Sequence, residues 1–415
     1  MPISMLFCII YFISIICLGS LNIGPFSPRV YMTILMFGVL IMNINKTLKR
    51  MPNKYIVMFV MFIMMMGLSL SMNGEIEHLG YLKLILSFHF VAIVSYYALG
   101  FYVTTEERLV QVTNVLLSIL LITSIATILQ YYNNPIGWGI RVLFTPSGLS
   151  EELQESLANN MNDNLLGRSL AVGIFDYAFS NAMFISSTGV VAMGMTLKQA
   201  FPPKSRIFYL IVAICAIIAC FMTQQRAAFY LMVLSYIMVL LTYTRHKVVV
   251  GIGLGILLFM VLAVGEGAVG IYSDDIGRMS LSTLNMEDDT RHGLWGSAVD
   301  FISSHLMWGG PLAYQQLNHG LQSHNFFLNA FIYGGLLGAI FVILMFLMMC
   351  LRCFICILKG LSKKRLSCCF AIGVLIFFVC GFFHNASLVL GSTQIFILFP
   401  LMLVGETIEC SRVIK

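Results

Sequence analysis

The chain reads as an all-α, polytopic membrane protein, and three observations predict it. Of its 415 residues, 59% are hydrophobic and only 10% are charged, and the mean hydropathy of +0.91 lies far from the mix of a soluble domain. Apolar runs of roughly 20 residues, enough to cross a hydrocarbon core, recur with short polar breaks between them. Prolines mark the breaks: Pro52, Pro135, Pro146, Pro202, Pro203 and Pro311 fall in loops, and Pro400 falls within a predicted span. A net charge of +6 in such a chain reflects loops that fix orientation, not nucleic-acid binding.

About twelve spans are expected, forming a single membrane domain over residues 1–415. In order they are Ile3–Leu21, Val30–Ile44, Tyr55–Met72, Tyr81–Val103, Val112–Gln130, Ser169–Leu197, Ile207–Met222, Ala227–Tyr243, Val248–Gly270, Asn325–Cys350, Leu366–Phe383 and Thr393–Val404. The second is short and the sixth long. Few of these helices look broken, which weighs against a transporter, because many secondary transporters bind substrate at interrupted helices. There is no repeat between the two halves and no low-complexity segment. The first apolar run is long enough to stay as an anchor, and the first basic residue is Arg29, so no cleavable signal peptide is expected.

Short cytoplasmic loops retain lysine and arginine. With the N-terminus inside, 17 of the 24 basic residues fall on one side, including Lys46, Lys49, Arg50, Lys54 and the run Lys363-Lys364-Arg365. Both termini are therefore expected in the cytoplasm. The seven exceptions are Arg29, Lys83, Arg141, Arg168, Arg226, Arg278 and Arg291, which makes them candidates for work on the outer face. All eleven cysteines lie in predicted helices or near cytoplasmic ends, leaving the outer loops without an expected disulfide. Cys353-x-x-Cys356 has metal-like spacing, yet a lone pair favours helix-end packing.

Two outer loops are long enough to do more than connect helices, residues 131–168 and residues 271–323. The first carries Trp138 and Arg141, with a short amphipathic helix expected over Ser150–Asn160; the second holds a helical stretch, Ser297–Ile302, after Trp295. Six of the eight histidines (His78, His292, His305, His319, His324 and His384) fall in outer loops or at outer helix ends.

Three constellations on that face carry chemistry. His324 stands where a polar loop gives way to Phe326-Phe327-Leu328. A partly desolvated imidazole titrates near neutral pH and can take a proton from a hydroxyl; the bland alternative is a histidine that caps a helix. Arg226 lies in the tight turn Thr223–Ala228 between two apolar helices. There its planar fork suits phosphate oxygens, with an interfacial anchor as the ordinary reading. In Asp288-Asp289-Thr290-Arg291-His292 the paired carboxylates lack the ligand set of a metal site, so no metal is expected, and Arg291 stands out as a second phosphate contact. In the fourth helix, a snorkelling Lys83 and a hydrogen-bonded His89 need no functional role.

The order of these motifs, Thr223–Ala228, then Arg291 with Trp295, then Trp308-Gly309-Gly310-Pro311, then Ser323-His324-Asn325 leading to Tyr333-Gly334-Gly335-x-x-Gly338, resembles the O-antigen polymerase and O-antigen ligase superfamily of bacterial envelope glycosyltransferases. The resemblance runs from about Gly167 to Gly338; the N-terminal helices match in hydropathy alone. It implies a cofactor-free, metal-independent, inverting transfer of a glycan from an undecaprenyl-diphosphate carrier to a sugar hydroxyl at the periplasmic face of the inner membrane. Arg226 and Arg291 would hold the diphosphate and His324 would act as base. Arg168, Asp176 and Asn325 are second-tier site candidates, while Gly334, Gly335 and Gly338 are expected to let helices pack closely. The motif pattern looks more like polymerase members, which join lipid-linked repeat units, than like the ligase, which transfers polymer to lipid A core. Expected partners are the lipid-linked oligosaccharide and the acceptor glycan, with a chain-length regulator as a further candidate. A transporter or flippase of lipid-linked sugars is the alternative of another class; it predicts charges deep inside helices, whereas most charges here sit at helix edges.

Overall fold

The computed structural model describes residues 3–18, 26–75, 85–144, 171–175, 177–243, 290–318, 322–360, 365–382 and 393–411. Among these residues the chain is helical throughout, with no strand. A helix coincides with every expected span except the ninth, Val248–Gly270, which lies outside the described residues. Six helices are long and apolar enough to cross a membrane, or seven if the pair Pro28–Met42 and Ile44–Arg50, bent by 95°, counts as one. The figure of twelve spans therefore stands only as six or seven among the described residues. The sixth span is shorter than its apolar run, starting at Ala178 rather than Ser169.

The prolines do more than interrupt helices. Pro28, Pro135, Pro203 and Pro311 each occupy the first position of one, where a missing N–H costs nothing and the fixed φ is already helical. Asn134 completes one of these starts, its side-chain oxygen accepting from Ile136 N at 2.9 Å.

The chain divides into two compact units. The first comprises Met1–Leu109, Met286–Cys356 and Phe377–Lys415. Within it, helix Val91–Tyr102 packs against helices Ile3–Cys17, Pro28–Met42, Ile44–Arg50 and Ile395–Ser411. That helix is preceded by a π-helical turn, Ile85–Phe90, which carries His89. The His89 ring is buried and stacks on Phe59 at 5.4 Å, and Phe59 in turn packs on Phe396 at 4.7 Å. Its place is a packed interior; Lys83 lies outside the described residues. Cys353 and Cys356 are buried in helix Phe326–Gly360, Cys353 lying 3.6 Å from the Met402 sulfur.

The second unit comprises Val110–Asn285 and Ile357–Ile376. Helix Ala178–Leu197 is its axis, buried along nearly its whole length and packed on helices Pro203–Met222 and Arg226–Tyr243. Small residues permit that approach: a Cβ at Gly189 would stand 3.0 Å from the Tyr236 hydroxyl and 3.4 Å from the Ala216 methyl. The Tyr236 hydroxyl donates to Ala213 O at 3.0 Å, so even this buried phenol is satisfied within the bundle.

Candidate active site

His324 stands immediately before helix Phe326–Gly360, in the left-handed region at φ 52° and half-buried. The capping role falls on its neighbour. Asn325 Oδ1 accepts from Phe327 N at 2.9 Å and from Leu328 N at 3.2 Å, and Asn325 Nδ2 donates to Phe382 O at 3.3 Å. Both ends of the Asn325 amide are thus committed to the backbone, so Asn325 positions the helix start and His324 is not its cap. Ser323 adds a brace, its hydroxyl donating to Asn329 Oδ1 at 2.8 Å. Beneath the cap, Phe326, Phe327, Phe346, Phe378 and Phe382 form a contiguous aromatic cluster with ring centroids 3.9–6.4 Å apart. Replacing Asn325 with alanine is expected to cost about 1 kcal/mol through the lost cap, measured as a lower unfolding temperature of the solubilised protein. Aspartate, which keeps the acceptor, should recover most of it.

Gln322, two residues before His324, has its Oε1 shielded from solvent with no hydrogen-bond partner among the described residues.

Arg291 lies in the first turn of helix Thr290–Ser304, which contains the expected stretch Ser297–Ile302 and extends it at both ends. This helix pairs with the short helix Pro311–Leu317. The Ser297 hydroxyl donates to Asn318 Oδ1 at 2.8 Å, the Tyr314 hydroxyl donates to Leu294 O at 3.3 Å, and Phe301 meets Tyr314 edge-on at 5.4 Å. Burial pushes the Tyr314 phenol above its ordinary range, which keeps it a donor at neutral pH. His305 is held locally: its ring stacks on Phe301 at 4.2 Å and its Nδ1 lies 2.9 Å from the Ser304 hydroxyl.

Between these two helices, the turn Leu306–Gly310 lies against the long helix Phe326–Gly360. That helix is broken at Gly335, whose φ of 59° and ψ of −164° belong to a region open essentially to glycine alone. The expectation that Gly335 serves close helix packing is therefore corrected here, and the three glycines of Tyr333–Gly338 divide in role. Gly334 and Gly338 do allow close packing, with added Cβ atoms 2.9 Å from Phe62 and 3.4 Å from Met65. Gly335 instead admits the turn. Just past the end of helix Lys54–Met72, Asn73 holds the turn and Glu75 the start of helix Pro311–Leu317 that follows it. Asn73 Nδ2 donates to Gly309 O at 3.4 Å, and the buried Glu75 carboxylate accepts from Leu312 N and Ala313 N, each at 3.2 Å. Nothing in the sequence near Glu75 announces this, because its partners lie more than 230 residues away.

Arg226 belongs to the second unit. The turn before it is as tight as expected: helix Pro203–Met222 ends at Thr223, whose hydroxyl donates to Cys220 O at 2.7 Å, Gln224 is left-handed at φ 56°, and the next helix starts at Arg226. A cation at a helix N-terminus opposes the helix dipole, whereas that same end attracts anions. The half-buried Arg226 therefore weakens its own helix slightly while reinforcing an anion-attracting end. In the same unit Arg141 is 2% exposed, and its Nη1 donates to Ile174 O at 3.1 Å. It stands on helix Pro135–Leu143, which the sequence did not lead us to expect. Gln130 holds the segment Val172–Gly173, its Oε1 accepting from both amides at 3.0 and 2.8 Å. Arg168 and Asp176, on either side of that segment, lie outside the described residues, as do Asp288, Asp289, Arg278 and the expected helix Ser150–Asn160.

Of the three left-handed non-glycine residues among the described residues, Asn133, Gln224 and His324, the last two stand near or at the residues singled out for chemistry. Such conformations cost about 1–2 kcal/mol and gather where function holds them.

Residues 211–343 match the O-antigen ligase family. The matched segment contains Arg226, Arg291, Asn325, His324 and the break at Gly335. That family belongs to the O-antigen polymerase and ligase superfamily that the motif order resembles. No curated protein matches the chain. The match to the O-antigen ligase family supports a membrane glycosyltransferase-like activity on lipid-linked polysaccharide, and the apolar helices fit a multi-pass membrane protein.

Proposed function

We propose that this chain is a polymerase of O-antigen or a related surface polysaccharide. It joins undecaprenyl-diphosphate-linked repeat units at the periplasmic face of the bacterial inner membrane. The observation that supports the donor chemistry is the family match over residues 211–343, which takes in the three residues assigned to it here; the choice of polymerase rests on the motif pattern of Arg291, Trp295, Trp308–Pro311 and Ser323-His324-Asn325. In the transfer, an imidazole nitrogen of His324 accepts the proton of the acceptor hydroxyl as its oxygen attacks the anomeric carbon. The bond from that carbon to the diphosphate breaks, and undecaprenyl diphosphate leaves with the electron pair. Arg226 and Arg291 are assigned to stabilise the negative charge that develops on it, the role cations play at a leaving diphosphate. Attack opposite the leaving group inverts the anomeric configuration.

The ligase is the second reading, favoured by the description of the matched family itself. Purified protein supplied with lipid-linked repeat units alone should produce a ladder of elongated products. Product formed only after lipid A core is added would replace the polymerase with the ligase. A transporter would use the backbone groups freed at a helix break to hold its cargo. Here the groups freed at Gly335 are taken by the protein's own turn, Ile332 O by Gly310 N and Leu336 N by Leu306 O. The rate is expected to be unchanged by a chelator such as EDTA, and strict dependence on a divalent ion would sink the two-arginine account.

A further inference from the structure

We propose that the turn Leu306–Gly310 and the break at Gly335 form one positioning joint, which sets the helix carrying Arg291 against the half-helix that begins at His324. The inference rests on the roles assigned to those two residues above. A continuous helix through Gly335 would pair Leu336 N with Ile332 O, and a continuous helix through the turn would pair Gly310 N with Leu306 O. In the structure these partners are exchanged: Leu336 N donates to Leu306 O at 2.8 Å, and Gly310 N donates to Ile332 O at 2.9 Å. Each segment gives the other the bond it has given up, so these two donors and two acceptors are satisfied across the break.

The exchange is steric as well as polar. A Cβ at Gly335 would stand 2.7 Å from the Met307 carbonyl carbon and 2.9 Å from Trp308 Cα, and a Cβ at Gly309 would stand 2.7 Å from Phe331 O. Both glycines are also left-handed, at φ 59° and 70°. Thr290–Ser304 runs directly into the turn, and Phe326–Gly334 runs from the Asn325 cap to the break. One arm therefore carries Arg291 in its first turn and the other starts beside His324. Asn73 holds the turn at Gly309 O and Glu75 holds the start of helix Pro311–Leu317 just beyond it. Gly309 and Gly335 are positioning residues; neither is expected to touch substrate.

The test uses full-length protein in lipid nanodiscs and compares wild type, Gly335→Ala, Arg291→Ala and the double variant. Gly335→Ala should lower kcat by about a hundredfold, the scale of an ångström-level misplacement. Arg291→Ala should then cost far less in the Gly335→Ala background than in wild type, because the arginine is already misplaced. Two losses that simply multiply would overturn the proposal in favour of a merely structural glycine. If Gly335→Ala does not accumulate, Gly309→Ala takes its place in the same cycle. Amide hydrogen exchange needs no variant: Gly310 and Leu336 should be protected in wild type, and rapid exchange at both would also overturn the joint. Transfer abolished by His324→Asn and Arg291→Ala but untouched by Gly335→Ala would overturn the joint alone, whereas full transfer in the first two would remove the site assignment beneath it.

Discussion

Replacing His324 by asparagine is expected to leave the protein folded and in the membrane while lowering transfer by about 10²–10⁴-fold, the range of a lost general base. Asparagine is the informative choice because residue 324 is left-handed, at φ 52°. Alanine is less at home in that region than histidine or asparagine, which would confuse lost chemistry with lost stability. Asparagine tolerates that conformation and cannot serve as a base. The helix start should survive, since its capping bonds come from Asn325. The measurement is product formed per unit of membrane-embedded protein, with unfolding temperature as the control. Wild-type turnover in the asparagine variant would falsify the assignment of His324 as base.

Arg226→Gln is expected to move activity and stability in opposite directions. Transfer should fall by about 10²–10³-fold, the loss typical of removing one stabilising group from a developing charge. The helix Arg226–Tyr243 should meanwhile hold steady or gain about 0.3–1 kcal/mol, because a cation has been removed from the positive end of its dipole. A structural anchor would behave otherwise, losing stability and retaining turnover. Arg226→Lys separates charge from shape: it keeps the cation but gives up the two-pronged fork, and partial activity is expected. Equal activity of the lysine and arginine forms would remove the bidentate contact while leaving the charge.

Much of the helical layout was legible in the chain because each span is a local property. An apolar run such as Tyr55–Met72 becomes helix Lys54–Met72 almost residue for residue, since a backbone in hydrocarbon must satisfy its own hydrogen bonds. The helix Thr290–Ser304 was legible in part, and the tight turn at Arg226 wholly so, for the same local reason. The short helix Pro135–Leu143 was missed, although Asn134-Pro135 is a good start signal. Gly335 was misread because Gly-Gly-x-x-Gly spacing looks alike whether the glycine admits a neighbouring helix or a neighbouring turn.

Hydropathy, charge placement and the order of short motifs, all written along the chain, were enough to establish a helical membrane protein, to single out Arg226, Arg291 and His324, and to point to a superfamily that residues 211–343 do match. Only the tertiary structure could assign the cap to Asn325 and away from His324, bring Glu75 to the start of helix Pro311–Leu317, and show Gly335 exchanging hydrogen bonds with the turn Leu306–Gly310. The physical reason is the range of the interactions. Burial of an apolar span depends on the residues within it, whereas a hydrogen bond across a helix break depends on a partner far away in the chain, which local pattern cannot name.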